Sequence, residues 1–99
     1  MQEITFKIRP IEKTIPATTQ LGGWVYRWGF AGDKNPIDKV QSGDIELKVS
    51  LDVGNYWVET WREAENGDVL GDKSYRDFPV GNEDIVVMVS GSVDVSFGV

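Results

Sequence analysis

Ninety-nine residues supply about one domain's worth of chain, and the absence of cysteine and histidine excludes disulfides, thiolate metal sites and a cysteine nucleophile. The net charge of −6 is unevenly spread: residues 1–40 hold six Lys/Arg against four Asp/Glu, or +2, and residues 41–99 hold four against twelve, or −8. Without a basic stripe, neither nucleic-acid binding by counterion release nor attraction to an anionic membrane is expected.

Met1-Gln2-Glu3-Ile4 begins without the basic segment and apolar stretch of a signal peptide, and no run approaches the roughly 20 apolar residues of a membrane-spanning helix. Ile4, Phe6 and Ile8 then alternate with Thr5, Lys7 and Arg9, which predicts a half-buried strand ended by Pro10. Residues 11–20, with Pro16 and three threonines, read as an edge segment or an irregular crossing. Residues 24–30 place Trp24, Tyr26, Trp28 and Phe30 on one face and Val25 and Arg27 on the other. The aromatic face is expected to point into the core, since large rings dominate small cores.

Between residues 31 and 43 the alternation breaks. Asn35 as a cap, Pro36 at a first helical position and Gly43 as a stop predict at most one short helical turn near residues 36–42. Residues 44–51 return to alternation, with Ile45, Leu47, Val49 and Leu51 inward, and residues 52–55 turn the chain. A long strand over 55–65 ends at Asn66-Gly67, a dipeptide suited to a tight hairpin. Shorter strands are expected at 69–70 and 75–80, then at 85–89 and 93–97 with Ser90-Gly91-Ser92 joining the last two. About seven or eight strands with frequent turns describe a single all-β antiparallel sandwich spanning residues 1–99.

The stretch Leu51-Asp52-Val53-Gly54-Asn55-Tyr56-Trp57-Val58, followed by Glu65-Asn66-Gly67-Asp68, resembles immunoglobulin-like and fibronectin type III-like sandwich domains. In those families a Leu, a Gly and a Tyr stand before the alternating strand. The resemblance implies a Greek-key topology and a tyrosine corner at Tyr56, whose hydroxyl bonds backbone upstream. Leu51, Gly54, Trp24 and Trp28 join Tyr56 as the structural residues. The cysteine pair of many such domains is missing, and the segment 31–43 is longer than their pattern.

Enzymatic chemistry finds little here. With no Gly-x-Ser-x-Gly turn, acid–base work would fall to carboxylates such as Glu59 and Glu63, which sit among aromatics on a strand rather than in a cleft. No enzyme, metal or cofactor is expected. Glu63, Glu65, Asn66 and Asp68, or Asp33, Asn35 and Asp38, carry oxygens for a cation but lack calcium-loop spacing, so they read as ordinary turn residues.

Binding is the better reading. Period two puts Trp57 and Trp61 on the face opposite Tyr56 and Val58, about 13 Å apart, with Glu59 and Glu63 beside them. If that face is wet, two indoles in water mark a contact surface, unless a loop such as 31–43 folds over them. The run Ile85-Val86-Val87-Met88-Val89 fails to alternate, so both of its sides need cover and a neighbouring subunit would supply it. Together these observations predict a noncatalytic module that docks to a protein partner, or to copies of itself, through one outer face. That face carries Trp57, Trp61, Val86 and Met88, with Arg62 and Tyr75 at its rim. A second reading uses the same indoles as a platform for a glycan. Freestanding Ig-like chains of this kind resemble accessory proteins of bacteriophage particles, which implies head decoration or a tail component and a place in the virion. On this reading Trp57→Ala or Trp61→Ala weakens docking and leaves the fold largely intact.

Overall fold

The alternation is realised as strands, and no helix is present among the described residues. The computed structural model describes residues 1–16 and 18–98, and their side chains except at 12, 13 and 92–98. Seven strands follow one another: β1 (Gln2–Pro16), β2 (Leu21–Phe30), β3 (Asp38–Ser42), β4 (Glu46–Leu51), β5 (Gly54–Ala64), β6 (Val69–Val80) and β7 (Ile85–Gly98). They form two facing sheets, ordered β4-β1-β7 and β3-β2-β5-β6. The all-β sandwich is thus present, with neighbours antiparallel except β1 and β7, which pair in parallel.

Several expectations about elements are corrected, among them the two short strands at 69–70 and 75–80, which form one strand, β6. The helical turn near 36–42 is absent: Asp38–Ser42 is β3, which pairs with β2 from Trp28↔Asp38 to Trp24↔Ser42. A ladder to a preformed strand outweighs weak local helix signals in five residues. Pro10 does not end β1. Pairing with β4 stops at Lys7, so no neighbour on that side requires the N–H that proline lacks, and a register shift between Pro10 and Glu12 absorbs the irregularity against β7. Ser90-Gly91-Ser92 is not a turn but the middle of one continuous β7. The glycine serves packing there: a Cβ on Gly91 would lie 2.5 Å from Ile8 Cγ2 and 2.7 Å from Trp24 Cζ3. At about 3.3 Å per residue, the 15 residues of β1 account for the 48 Å long axis.

The core lies between the sheets. Ile4, Phe6, Ile8, Val87 and Val89 come from one side, and Trp24, Tyr26, Trp28, Tyr56, Val58, Phe78 and Val80 from the other, with Leu51 at one end. Phe6 meets Trp28 and Phe78 at ring separations of 5.6 and 5.5 Å, and Tyr56 stacks on Phe78 at 5.8 Å. Phe30, placed inward by alternation, instead lies half in water and stacks on Tyr56. Buried tyrosines find partners for their hydroxyls. Tyr56 donates to the Asp52 carbonyl four residues upstream at 2.7 Å, and Tyr26 donates to the Asp44 carbonyl at 2.6 Å. Those two bonds tie β5 to the connection after β4 and β2 to the connection before it.

Candidate functional site on the outer face of the four-stranded sheet

Tyr56, Val58 and Thr60 of β5 point into the sandwich, so Trp57, Glu59 and Trp61 point out from the same strand. Register then sets their neighbours. Lys39, Arg27, Glu59 and Tyr75 stand opposite one another across β3, β2, β5 and β6; the next rows pair Gly29 with Trp57 and Asp77, and Val25 with Trp61. The face is therefore a grid in which small, charged and aromatic side chains alternate.

Both indoles lie outside the core, yet neither is in water. Trp57 is 5% exposed and Trp61 3%, which corrects the expectation of two solvent-facing rings. The physical reason lies in the neighbouring rows. Gly29 leaves room for the Trp57 ring to lie flat on β2, since a Cβ there would come within 2.7 Å of Cζ2. Tyr75 then stacks on Trp57 at 6.0 Å with an 18° tilt, and Trp57 Nε1 donates to the Asp33 carbonyl at 2.8 Å. That carbonyl belongs to the 31–37 loop, so a loop does come back over this edge of the face.

Trp61 packs beside buried Val25 and sits among cations. Lys73 Nζ lies 4.3 Å from its ring centre, the Arg27 guanidinium 5.5 Å and Lys39 Nζ 5.7 Å. Such contacts draw on the negative face of the indole and strengthen as water is excluded. Arg27 also lies 5.7 Å from the Trp57 ring and is paired with Glu59, so it bridges the two indoles. Trp61 Nε1 donates to Glu63 Oε2 at 2.9 Å. The long stems of these charged side chains cover apolar ring surface while their heads stay wet.

Beside this layer, Gly32, Asp33, Lys34, Trp57 and Tyr75 line an open hollow of about 350 Å³. Tyr75, 58% exposed, forms its accessible aromatic wall and donates to Asp77 Oδ1 at 3.0 Å. That bond, with some burial, raises the phenol's pKa above its usual value.

The structure divides the residues that sequence reading grouped on one face. Trp57, Trp61 and Tyr75 come together. Arg62 does not join them: its Nε donates to the Gly22 carbonyl and its guanidinium lies over Trp24, 5.1 Å from the ring centre, on the inward side of the sheet. Val86 and Met88 belong to the other sheet, on the opposite outer surface, 60% and 42% exposed. There they stand opposite Thr5 and Lys7 of β1. Alternation could give each strand two sides but not say which sheet β7 enters. Arg27, Lys39, Lys73 and Gly29, which make the indole layer, escaped sequence reading because their roles depend on cross-strand neighbours.

The turn acids behave as turn acids. Asp33 Oδ1 accepts from the Asn35 amide, and Asn66 and Asp68 bond each other. Among the described residues no group of three or more acidic side chains is gathered as a metal site, and no helix is long and apolar enough to cross a membrane.

Among solved structures, the chain is similar to a minor pilin of the Gram-positive pathogen Streptococcus agalactiae, with a TM-score of 0.50 and 16% identity. The alignment covers 99% of this chain and 47% of the pilin's, so the chain spans about half its length. At that identity the likeness shows the fold alone. No family model matches the sequence, and no curated protein matches it.

Proposed function

We propose that the protein is a noncatalytic structural module that assembles with copies of itself through the outer surface of β7. The observation that carries this reading is the exposure of Val86 and Met88 on a strand that, among the described residues, is bonded in its sheet only to β1. Its other edge runs alongside β6, where Arg76 Nη1 donates to the Met88 carbonyl at 2.7 Å, so a partner would meet the exposed side chains of the outer face. A structural neighbour that is itself a minor pilin is in keeping with a structural rather than enzymatic role.

The experiment is light scattering over a concentration series from micromolar to millimolar. The wild-type chain associates, and the double variant Val86→Lys/Met88→Lys does not, while its circular dichroism is unchanged. A wild-type chain that stays monomeric throughout, or association that survives the double variant, overturns the proposal. The more specific form, a head decoration or tail component of a bacteriophage particle, rests on the sequence resemblance. Mass spectrometry of purified particles tests it, and absence of the chain from them refutes it.

A further inference from the structure

We propose a second binding site, on the outer face of the four-stranded sheet, for an acidic sugar: a pyranose bearing a carboxylate or sulfate, seated between the Trp57–Tyr75 stack and the cations around Trp61. It lies on the surface away from β7 and does not depend on self-assembly.

Charge gives the first argument. In a chain of net charge −6, Arg27, Lys39 and Lys73 converge within 5.7 Å of a single ring. Among the described residues Arg27 has Glu59 as its partner, while neither lysine ammonium has a carboxylate opposite it. With Arg27 neutralised by Glu59, the two lysine ammoniums beside one indole repel each other, and an oxyanion between them relieves that repulsion. Lys34 lines the hollow itself and adds a cation there.

Shape gives the second. Arg27 touches both indoles, so the charged group would sit next to the hollow rather than apart from it. The exposed Tyr75 ring offers the flat apolar wall against which the C–H face of a sugar packs. Asp33 lines the same hollow and Asp77 holds the Tyr75 hydroxyl, and each carboxylate keeps lone pairs for a hydroxyl donor. The same acids argue against an acidic peptide, whose successive carboxylates would meet Asp33, Glu63 and Asp77. A single acid group surrounded by hydroxyls fits the mixture of cations and acceptors.

The indole N–H resonances of Trp57 and Trp61 report the site in a ¹⁵N-labelled chain. The titrants are a galacturonate trisaccharide and a sulfated disaccharide, with a neutral trisaccharide, a polyglutamate peptide and inorganic sulfate as comparators. Saturable shifts of both resonances with at least one acidic sugar are expected, with the neutral sugar about tenfold or more weaker. Lys39→Gln/Lys73→Gln and, separately, Tyr75→Ala each reduce affinity about tenfold with the fold intact, and added salt weakens binding. Val86→Lys/Met88→Lys leaves binding unchanged, which separates this site from the β7 surface. Absence of saturable shifts with either acidic sugar overturns the proposal, as does equally tight binding of polyglutamate or of inorganic sulfate.

Discussion

Replacing Trp61 with alanine should not leave the fold largely intact, as a solvent-facing indole would allow, but destabilise the domain by about 3 to 4 kcal/mol, the cost usual for removing a packed tryptophan. The ring is 3% exposed, lies beside buried Val25 on one strand and is flanked by Arg27, Lys39 and Lys73. Alanine leaves those cations without their aromatic partner and opens a gap the sheet cannot close, because β2, β5 and β6 are fixed by ladder bonds. With an unfolding entropy of about 0.2 kcal/mol/K for 99 residues, the midpoint falls by about 15 to 20 °C. Urea titration followed by far-ultraviolet circular dichroism reads this without relying on the lost fluorophore, and the dependence on denaturant should keep its slope. Lys73→Gln removes one cation and should cost about 0.5 to 1 kcal/mol. A Trp61→Ala loss below about 1 kcal/mol would refute the reasoning, since exposed substitutions away from packed features have effects of that size or smaller.

Gly91→Ala should destabilise the protein by about 1 to 3 kcal/mol in the same titration, because its methyl would collide with Ile8 and Trp24; a neutral substitution would show that β7 can shift there at no cost. Thr60→Val should be neutral or stabilising by up to about 1 kcal/mol, since the Thr60 hydroxyl is fully buried and has no partner. A marked loss of stability would reveal a bond to that hydroxyl. Burial, then the nearby Asp44 and Glu46, raise the Tyr26 pKa well above the ordinary value of 10. The folded state keeps that proton when the unfolded chain has lost it, so this contribution is intact below pH 10 and declines above it by about 1.4 kcal/mol per pH unit. Comparison with Tyr26→Phe isolates the effect, and equal alkaline slopes for the two proteins would contradict it.

Much of the architecture was legible because period two is a strong local signal. It assigned Trp24, Tyr26, Trp28, Tyr56 and Val58 to the core and put Trp57 and Trp61 on the reverse side, all as found. The Leu51-to-Tyr56 pattern likewise located the hydroxyl bond to backbone upstream. What alternation could not supply was the second dimension of a sheet. Whether an outward indole is wet depends on what its cross-strand neighbours are, and here these are a glycine that makes room and cations with long stems. Pro10 and Gly91 were misread as terminators for a related reason. Each suits a strand interior only because of a particular neighbour: the departure of β4 past Lys7, and the ring of Trp24 against Gly91. Nor could the sequence show that Val86 and Met88 lie across the sandwich from Trp57, since that follows from β7 joining β1.

Acrylamide quenching of tryptophan fluorescence tests most directly whether the outer indoles form a covered structural layer. Trp24, Trp28, Trp57 and Trp61 are each 5% exposed or less. The native protein should therefore show blue-shifted emission and weak quenching from all four, with strong quenching appearing only on unfolding. If about half of the native emission is quenched as readily as free indole, the two outer rings stand in water and the covered layer described here does not exist.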